Sequence, residues 1–132
     1  MEIPPGYTAL EDRGAFLELV GPVFVLEGAE PVLGLRVQDR HTNARGTAMG
    51  GMLATLVDVA FGLAIEADAE DAEDRATASL TIDYLKPASP GDWIEARVSV
   101  NRVGSTLAFA DCSLKVGEQE IARARSVWAS AS

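Results

Sequence analysis

The stretch RGTAMGGMLATLVDVAFG, residues 45–62, holds one carboxylate, Asp58, among residues that otherwise look built for burial. A carboxylate held away from water is a candidate general base or nucleophile. Upstream on the same apolar run stands the pair Gly50-Gly51. Glycines at a helix start leave backbone N–H groups uncovered at the positive end of the helix dipole, and no side chain keeps a carbonyl away. That is the physical description of an oxyanion hole. Each part alone has a plainer reading, since an acid can cap a loop or pair with an arginine and glycine is common at helix starts. On one helix they are more specific together than apart.

The element that must carry both groups is a helix from Gly50 to about Ala67, apolar on nearly every side and therefore expected to be surrounded by protein. An ionised carboxylate enclosed there is costly unless hydrogen-bonded or paired, and its pKa should rise. At ~1.5 Å per residue, Gly50 and Asp58 stand roughly 12 Å apart, too far to act on one carbonyl within one subunit. Two such helices antiparallel at a symmetric dimer interface would bring the Asp58 of one to the Gly50 of the other.

Around this helix the pattern changes to period two. ATASLTIDYL alternates, with Ala76, Ala78, Leu80, Ile82 and Tyr84 on one face and Thr77, Ser79, Thr81 and Asp83 on the other. WIEARVSV turns Ile94, Ala96, Val98 and Val100 inward, TLAFADCSLKV does the same with Ala108, Ala110, Cys112, Leu114 and Val116, and EIARARSVWA with Ala122, Ala124, Ser126 and Trp128. These runs predict an antiparallel meander of long strands whose alanine-rich inner face lets a helix approach closely. PVFVLEGAEPVLGLRVQDR reads as a hairpin, HTNARGTAM as a loop and the acidic residues 68–74 as a solvated connection. Residues 15–20 read as a short helix covering a sheet edge, with Thr8 or Asp12 as possible caps. The fold class is α+β: one long curved antiparallel sheet wrapped around one central helix.

The chain of 132 residues reads as a single domain over 1–132, with residues 1–20 as an N-terminal extension. Its 20 acidic against 11 basic residues, a formal charge of −9, would repel nucleic acid and anionic lipid surfaces alike. The run from Met49 to Ile65 falls short of the ~20 residues of a membrane span and is broken by a charge. No secretory leader is expected at the N-terminus, and the lone Cys112 reads as a buried small hydrophobe, both consistent with a reducing cytoplasm. No spaced His/Cys cluster points to a metal, and the single histidine, His41, reads as a loop or packing residue.

The segment HTNARGTAMGGMLATLVDVAFGLA, followed by TASLTIDYLKPASPGD, resembles the hotdog-fold acyl-CoA thioesterases of the phenylacetate-pathway and human thioesterase-superfamily type, with a pattern near N-x-x-G-x-x-H-G-G and then an acid within the helix. The resemblance runs from about Val23 to Trp128. It implies that Gly50 polarises the thioester carbonyl and that Asp58, from the opposite subunit, is general base or nucleophile. It also implies that Asn43 positions the thioester or the attacking water, and that Thr77 helps hold the water. Met49 stands where the family carries histidine; the Gly50 backbone donor needs no histidine, and low activity or an unusual substrate is the corresponding expectation.

The substrate implied is an aryl- or medium- to long-chain acyl-CoA, hydrolysed to free acid and CoA. Met49 and Gly51 line its site, and Arg45, Lys86 and Arg102 are loop candidates for the CoA phosphates. Coenzyme A belongs to the substrate, so no further cofactor is expected. The assembly implied is a homodimer with composite sites, paired into a homotetramer. A non-catalytic acyl-CoA-binding protein is the alternative from a different class, and a hotdog enoyl-CoA hydratase is disfavoured because it needs the histidine that Met49 replaces.

Overall fold

A computed structural model of the protein describes residues 1–130. The elements in chain order are β1 (Thr8–Ala9), α1 (Ala15–Val20), β2 (Phe24–Leu26), β3 (Val32–Arg36), α2 (Gly50–Asp68), β4 (Arg75–Tyr84), β5 (Trp93–Val103), β6 (Leu107–Val116) and β7 (Gln119–Ser130). All seven strands join one antiparallel sheet in the order β1-β2-β3-β5-β6-β7-β4. The apolar periodicity of 94–128 yields β5-β6-β7 as a meander. β4 departs from that expectation: it does not pair with β5 but crosses to the far edge, beside β7.

The inner face is made of small residues: Ala96, Ala108, Ala110, Ala122 and Ala124 are buried, with Ile94, Cys112 and Leu114 among them. Alanine has no side chain beyond Cβ, so α2 can lie close and fill the concavity with its own larger groups. Leu56, Val57 and Phe61 of α2 are fully buried, and Met52, Leu53, Ala60, Ala64 and Ile65 complete that side. α2 is long and apolar enough by composition to cross a bilayer; here its buried side packs on the sheet.

The sheet covers α2 on one side only, which corrects the expectation of a helix enclosed all round. Gly51 is exposed and Ala54, Thr55, Asp58, Val59, Gly62 and Leu63 are half-buried. Spacings of three and four put Gly51, Thr55, Asp58 and Gly62 on one face of the helix. That side is only partly covered within the subunit: Thr77 lies against Asp58, and the Trp128 ring stands 3.4 Å from where a Cβ of residue 62 would be.

The strict alternation expected over residues 76–84 is also broken. The β4–β7 register slips between Thr77, opposite Trp128, and Ser79, opposite Val127, which leaves Ala78 as the extra residue of a bulge. One extra residue turns the following side chains over. Thr77 thereby joins Leu80 and Ile82 on the helix-facing side instead of opposing them.

At the N-terminus, α1 spans the residues expected of it but is not capped as expected. Its N-cap is Gly14, with φ 100° and no side-chain cap, while Thr8 sits in β1 and Asp12 in a left-handed turn at φ 61°. Arg13 instead ties this extension to α2, donating to both carboxylate oxygens of Glu66 at 2.6 and 2.7 Å. The pairing draws the Glu66 carboxyl below its ordinary pKa.

Phe61 is the largest of the fully buried side chains. Phe61→Ala should lower unfolding stability by about 3–5 kcal/mol in urea denaturation, because the neighbouring alanines have no atoms to move into the cavity.

Candidate active site

The residues before α2 form a closed loop. Thr42 bridges Ala48, the Asn43 N–H bonds Thr47 O at 2.8 Å, and Gly46 turns the chain at φ 80°, a conformation glycine adopts without strain. The Asn43 side chain sits inside this loop, its Oδ1 accepting from the N–H groups of Arg45 (2.9 Å) and Thr47 (3.2 Å) and its Nδ2 donating to Thr47 Oγ1 (3.1 Å). Asn43 is thus first a shaper of the loop, with one amide N–H left over. The Ala48 N–H bonds Ala88 O at 2.8 Å and pins the loop to the segment after β4.

Between these pieces opens a cleft of about 620 Å³ lined by Asn43, Arg45, Thr47, Gly50, Leu53, Tyr84, Lys86 and their neighbours. Four of the residues expected at the site, Asn43, Arg45, Gly50 and Lys86, therefore meet at the mouth of α2. The N–H groups of Gly50 and Gly51 have no hydrogen-bond acceptor among the described residues, as the first turn of a helix requires. Both are free for a ligand oxygen.

Tyr84, which the residue pattern did not single out as functional, holds this helix start. Its hydroxyl donates to Gly50 O at 2.6 Å, and a Cβ at position 50 would lie 3.1 Å from Tyr84 Cζ, so a larger residue there would push the ring outward from its bond. The signal that could have found it is the alternation that puts Tyr84 on the same face as Leu80 and Ile82. Burial raises the Tyr84 pKa, so the phenol stays a donor at neutral pH.

Asp58 lies in neither the cleft nor an enclosed core. It is half-buried on the open stripe of α2, and Thr77 Oγ1 donates to its Oδ1 at 2.6 Å. The bulge in β4 is what turns Thr77 toward it. Asp58 has no arginine partner among the described residues, which removes the ion-pair reading. Thr77 fixes one carboxylate oxygen and leaves the other open to the uncovered side of the helix.

The remaining expected residues separate. Met49 and Gly51 line a second groove, with Phe16, Val20, Met52 and Thr55. Arg102 belongs to strand β5 and not to a loop, and it does not line the cleft of Arg45 and Lys86. It lies near the turn at Gly104, whose carbonyl accepts from Arg75 beyond the C-terminal end of α2. His41 is buried with both ring nitrogens bonded to backbone: Nδ1 accepts from the Gln38 N–H at 2.9 Å, and Nε2 is 2.6 Å from Val20 O. Cys112 is buried and its thiol pKa is pushed up to about 12 by desolvation, so it is no nucleophile at neutral pH. Among the described residues no group of three or more His, Cys, Asp or Glu side chains is placed to hold a metal.

The chain as a whole is similar to known proteins. The sequence model of the family described as Thioesterase superfamily matches residues 45–122. A Pseudomonas aeruginosa protein that carries an esterase name is 36% identical over 130 residues, 97% of each chain. Acyl-coenzyme A thioesterase 13 of Homo sapiens is 32% identical over 101 residues, 75% of this chain and 71% of that one. Among solved structures, a mutant of the phenylacetic acid degradation protein from Thermus thermophilus superposes with a TM-score of 0.78 at 26% identity, covering 87% of this chain and 97% of that one.

Tyr84→Phe removes the bond that holds the helix start and should lower stability by about 0.5–1.5 kcal/mol in urea denaturation. Because folding raises this phenol's pKa, the contribution is fully present below the unfolded tyrosine value of about 10 and is lost as pH rises through the folded one. The stability gap between wild type and variant should accordingly hold from neutral pH to about 10 and close above it.

Proposed function

The chain belongs to the thioesterase superfamily, and from that premise we propose that it hydrolyses an acyl-coenzyme A, aryl- or medium- to long-chain, to free acid and coenzyme A. The observation that carries this reading is the arrangement on α2: free N–H groups at a cleft mouth flanked by Arg45 and Lys86, and a carboxylate oriented by Thr77 on the face the sheet leaves open.

The thioester carbonyl oxygen accepts from the Gly50 N–H, which holds the negative charge that develops there. Asp58 takes a proton from water as the water oxygen attacks the carbonyl carbon. The C–S bond then breaks and the CoA thiolate recovers the proton from Asp58. In the covalent variant the Asp58 carboxylate attacks instead, the C–S bond breaks to leave an Asp58–acyl anhydride and the CoA thiolate, which is protonated from solvent, and water then cleaves the anhydride to free acid and Asp58. Thr77 keeps the carboxylate in one orientation, and Asn43 shapes the loop and offers its remaining N–H to the thioester or the water. Arg45 and Lys86 attract the CoA phosphates in a protein of net charge −9 that would otherwise repel them.

Gly50 and Asp58 serve one substrate only if they come from two chains, since they lie about 12 Å apart along one helix. The partly open stripe of α2, with Gly51 and Ala54, supports an antiparallel pairing of two α2 helices about a two-fold axis. Met49 in place of the family histidine favours one second reading, a protein that binds acyl-CoA without cleaving it.

Thiol release measured with a panel of aryl- and alkyl-CoAs tests the proposal. Asp58→Asn should cut kcat by at least about 100-fold while saturable CoA binding persists, and Thr77→Val by about tenfold. Hydrolysis at the wild-type rate in Asp58→Asn would sink the assignment of the base. Saturable binding with no thiol release by the wild type would select the binding protein.

A further inference from the structure

Around the first turn of α2 most backbone groups are engaged. Met49 O accepts from the Met52 N–H at 2.9 Å and the Leu53 N–H at 3.1 Å, and the Met49 N–H donates to His41 O at 2.8 Å. The Gly50 and Gly51 N–H groups stay free among the described residues, adjacent in the turn and directed off the same helix end.

The peptide between these two glycines carries a further bond. Its carbonyl, Gly50 O, accepts the Tyr84 hydroxyl at 2.6 Å, toward the short end of the range for an O–H···O bond. Tyr84 ends β4, opposite Ala122 of β7, and the chain after it is pinned because the Leu85 and Lys86 N–H groups both donate to Ile121 O, at 2.8 and 3.1 Å. The ring thus reaches Gly50 from a paired strand. The Gly50 carbonyl and the Gly51 N–H belong to one peptide group, and in a trans peptide they point in opposite directions in one plane. A donor bound at the oxygen draws electron density toward it and leaves the N–H at the other end a stronger donor. It also fixes the plane, and with it the direction of that N–H.

We infer that Tyr84 is a positioning residue for thioester cleavage that acts through the peptide it holds, making the Gly51 N–H a second donor to the thioester oxygen beside that of Gly50. The inference rests on the reading of the helix start as the oxyanion site. Charge developing on the thioester oxygen is then shared by two backbone donors, one of them strengthened by a phenol. The donors are backbone groups and Tyr84, so methionine at 49 leaves them intact.

Turnover and a carbonyl spectrum test the two parts separately. In thiol release, Tyr84→Phe should lower kcat about fivefold with KM nearly unchanged. Ring-fluorinated tyrosines of rising acidity at position 84 should raise kcat while protonated and move its alkaline limb to lower pH in step, which a tyrosine that only supports the fold would not do. Proline is tolerated in a first turn and a Cβ at 51 meets nothing within 4 Å, so Gly51→Pro removes that N–H and keeps the helix. In its background Tyr84→Phe should have no further effect. Infrared difference spectra of octanoyl- and benzoyl-CoA, isotopically labelled at the thioester carbonyl and bound to the slow Asp58→Asn variant, should show the C=O stretch lowered on binding and partly restored by Tyr84→Phe. A stretch and a kcat indifferent to Tyr84→Phe, or an equal loss in the Gly51→Pro background, overturns the role of Tyr84 and leaves the thioesterase reading standing. A Tyr84-dependent stretch with no thiol release by the wild type overturns hydrolysis and leaves the donor pair.

Discussion

The close packing of one long helix on an alanine-lined sheet is the constraint on which everything else in this molecule depends. α2 reaches the inner face because Ala96, Ala108, Ala110, Ala122 and Ala124 leave room for its own Leu56, Val57 and Phe61. The larger groups come from the helix and the smaller from the strands, so the depth at which the helix lies is set by both. That depth decides which side of α2 stays uncovered, and Asp58 stands on that side. A carboxylate at the same position on a fully wrapped helix would be buried at great cost; half-buried and bonded to Thr77, it is held in place and still open to water.

β4 then grips the helix at two points. Thr77 bonds Asp58 and Tyr84 bonds Gly50 O, so one edge strand orients the carboxylate and the glycine turn alike. It can do both because a bulge intervenes between its ends: without the extra residue at Ala78, Thr77 would face away from α2 while Tyr84 faced toward it. An irregularity in the ladder thus aligns the two chemical groups of the helix with one strand. The crossing of β4 to the far edge, beside β7 rather than β5, is what puts that strand there.

The loop before α2 is held by its own side chains. Asn43 directs most of its hydrogen-bonding capacity to the loop itself, and His41 all of its own to backbone. These bonds define the shape of the loop, and the surface at its end is the free backbone of Gly50-Gly51 with Arg45 and Lys86 on one side and Met49 on the other. Met49 adds an apolar side chain beside these N–H groups and leaves them uncovered.

Much of this was legible in the residues. Period-two runs announce the long strands, a long apolar run announces the helix that packs on them, and the glycine pair and Asp58 are legible as groups of one helix, because each signal depends only on neighbours in the chain. The tertiary structure decided what depends on distant segments: that β4 pairs with β7, that a register slip turns Thr77 to Asp58, that Tyr84 holds the helix start, and that Arg102 lies in a strand beyond the cleft. It also divided the mouth of α2 into a basic cleft and an apolar groove, and here the loops and α1 meet from positions far apart in sequence. Local periodicity encodes which face of an element is apolar; which partner that face meets, and in what register, is set by packing the whole chain at once.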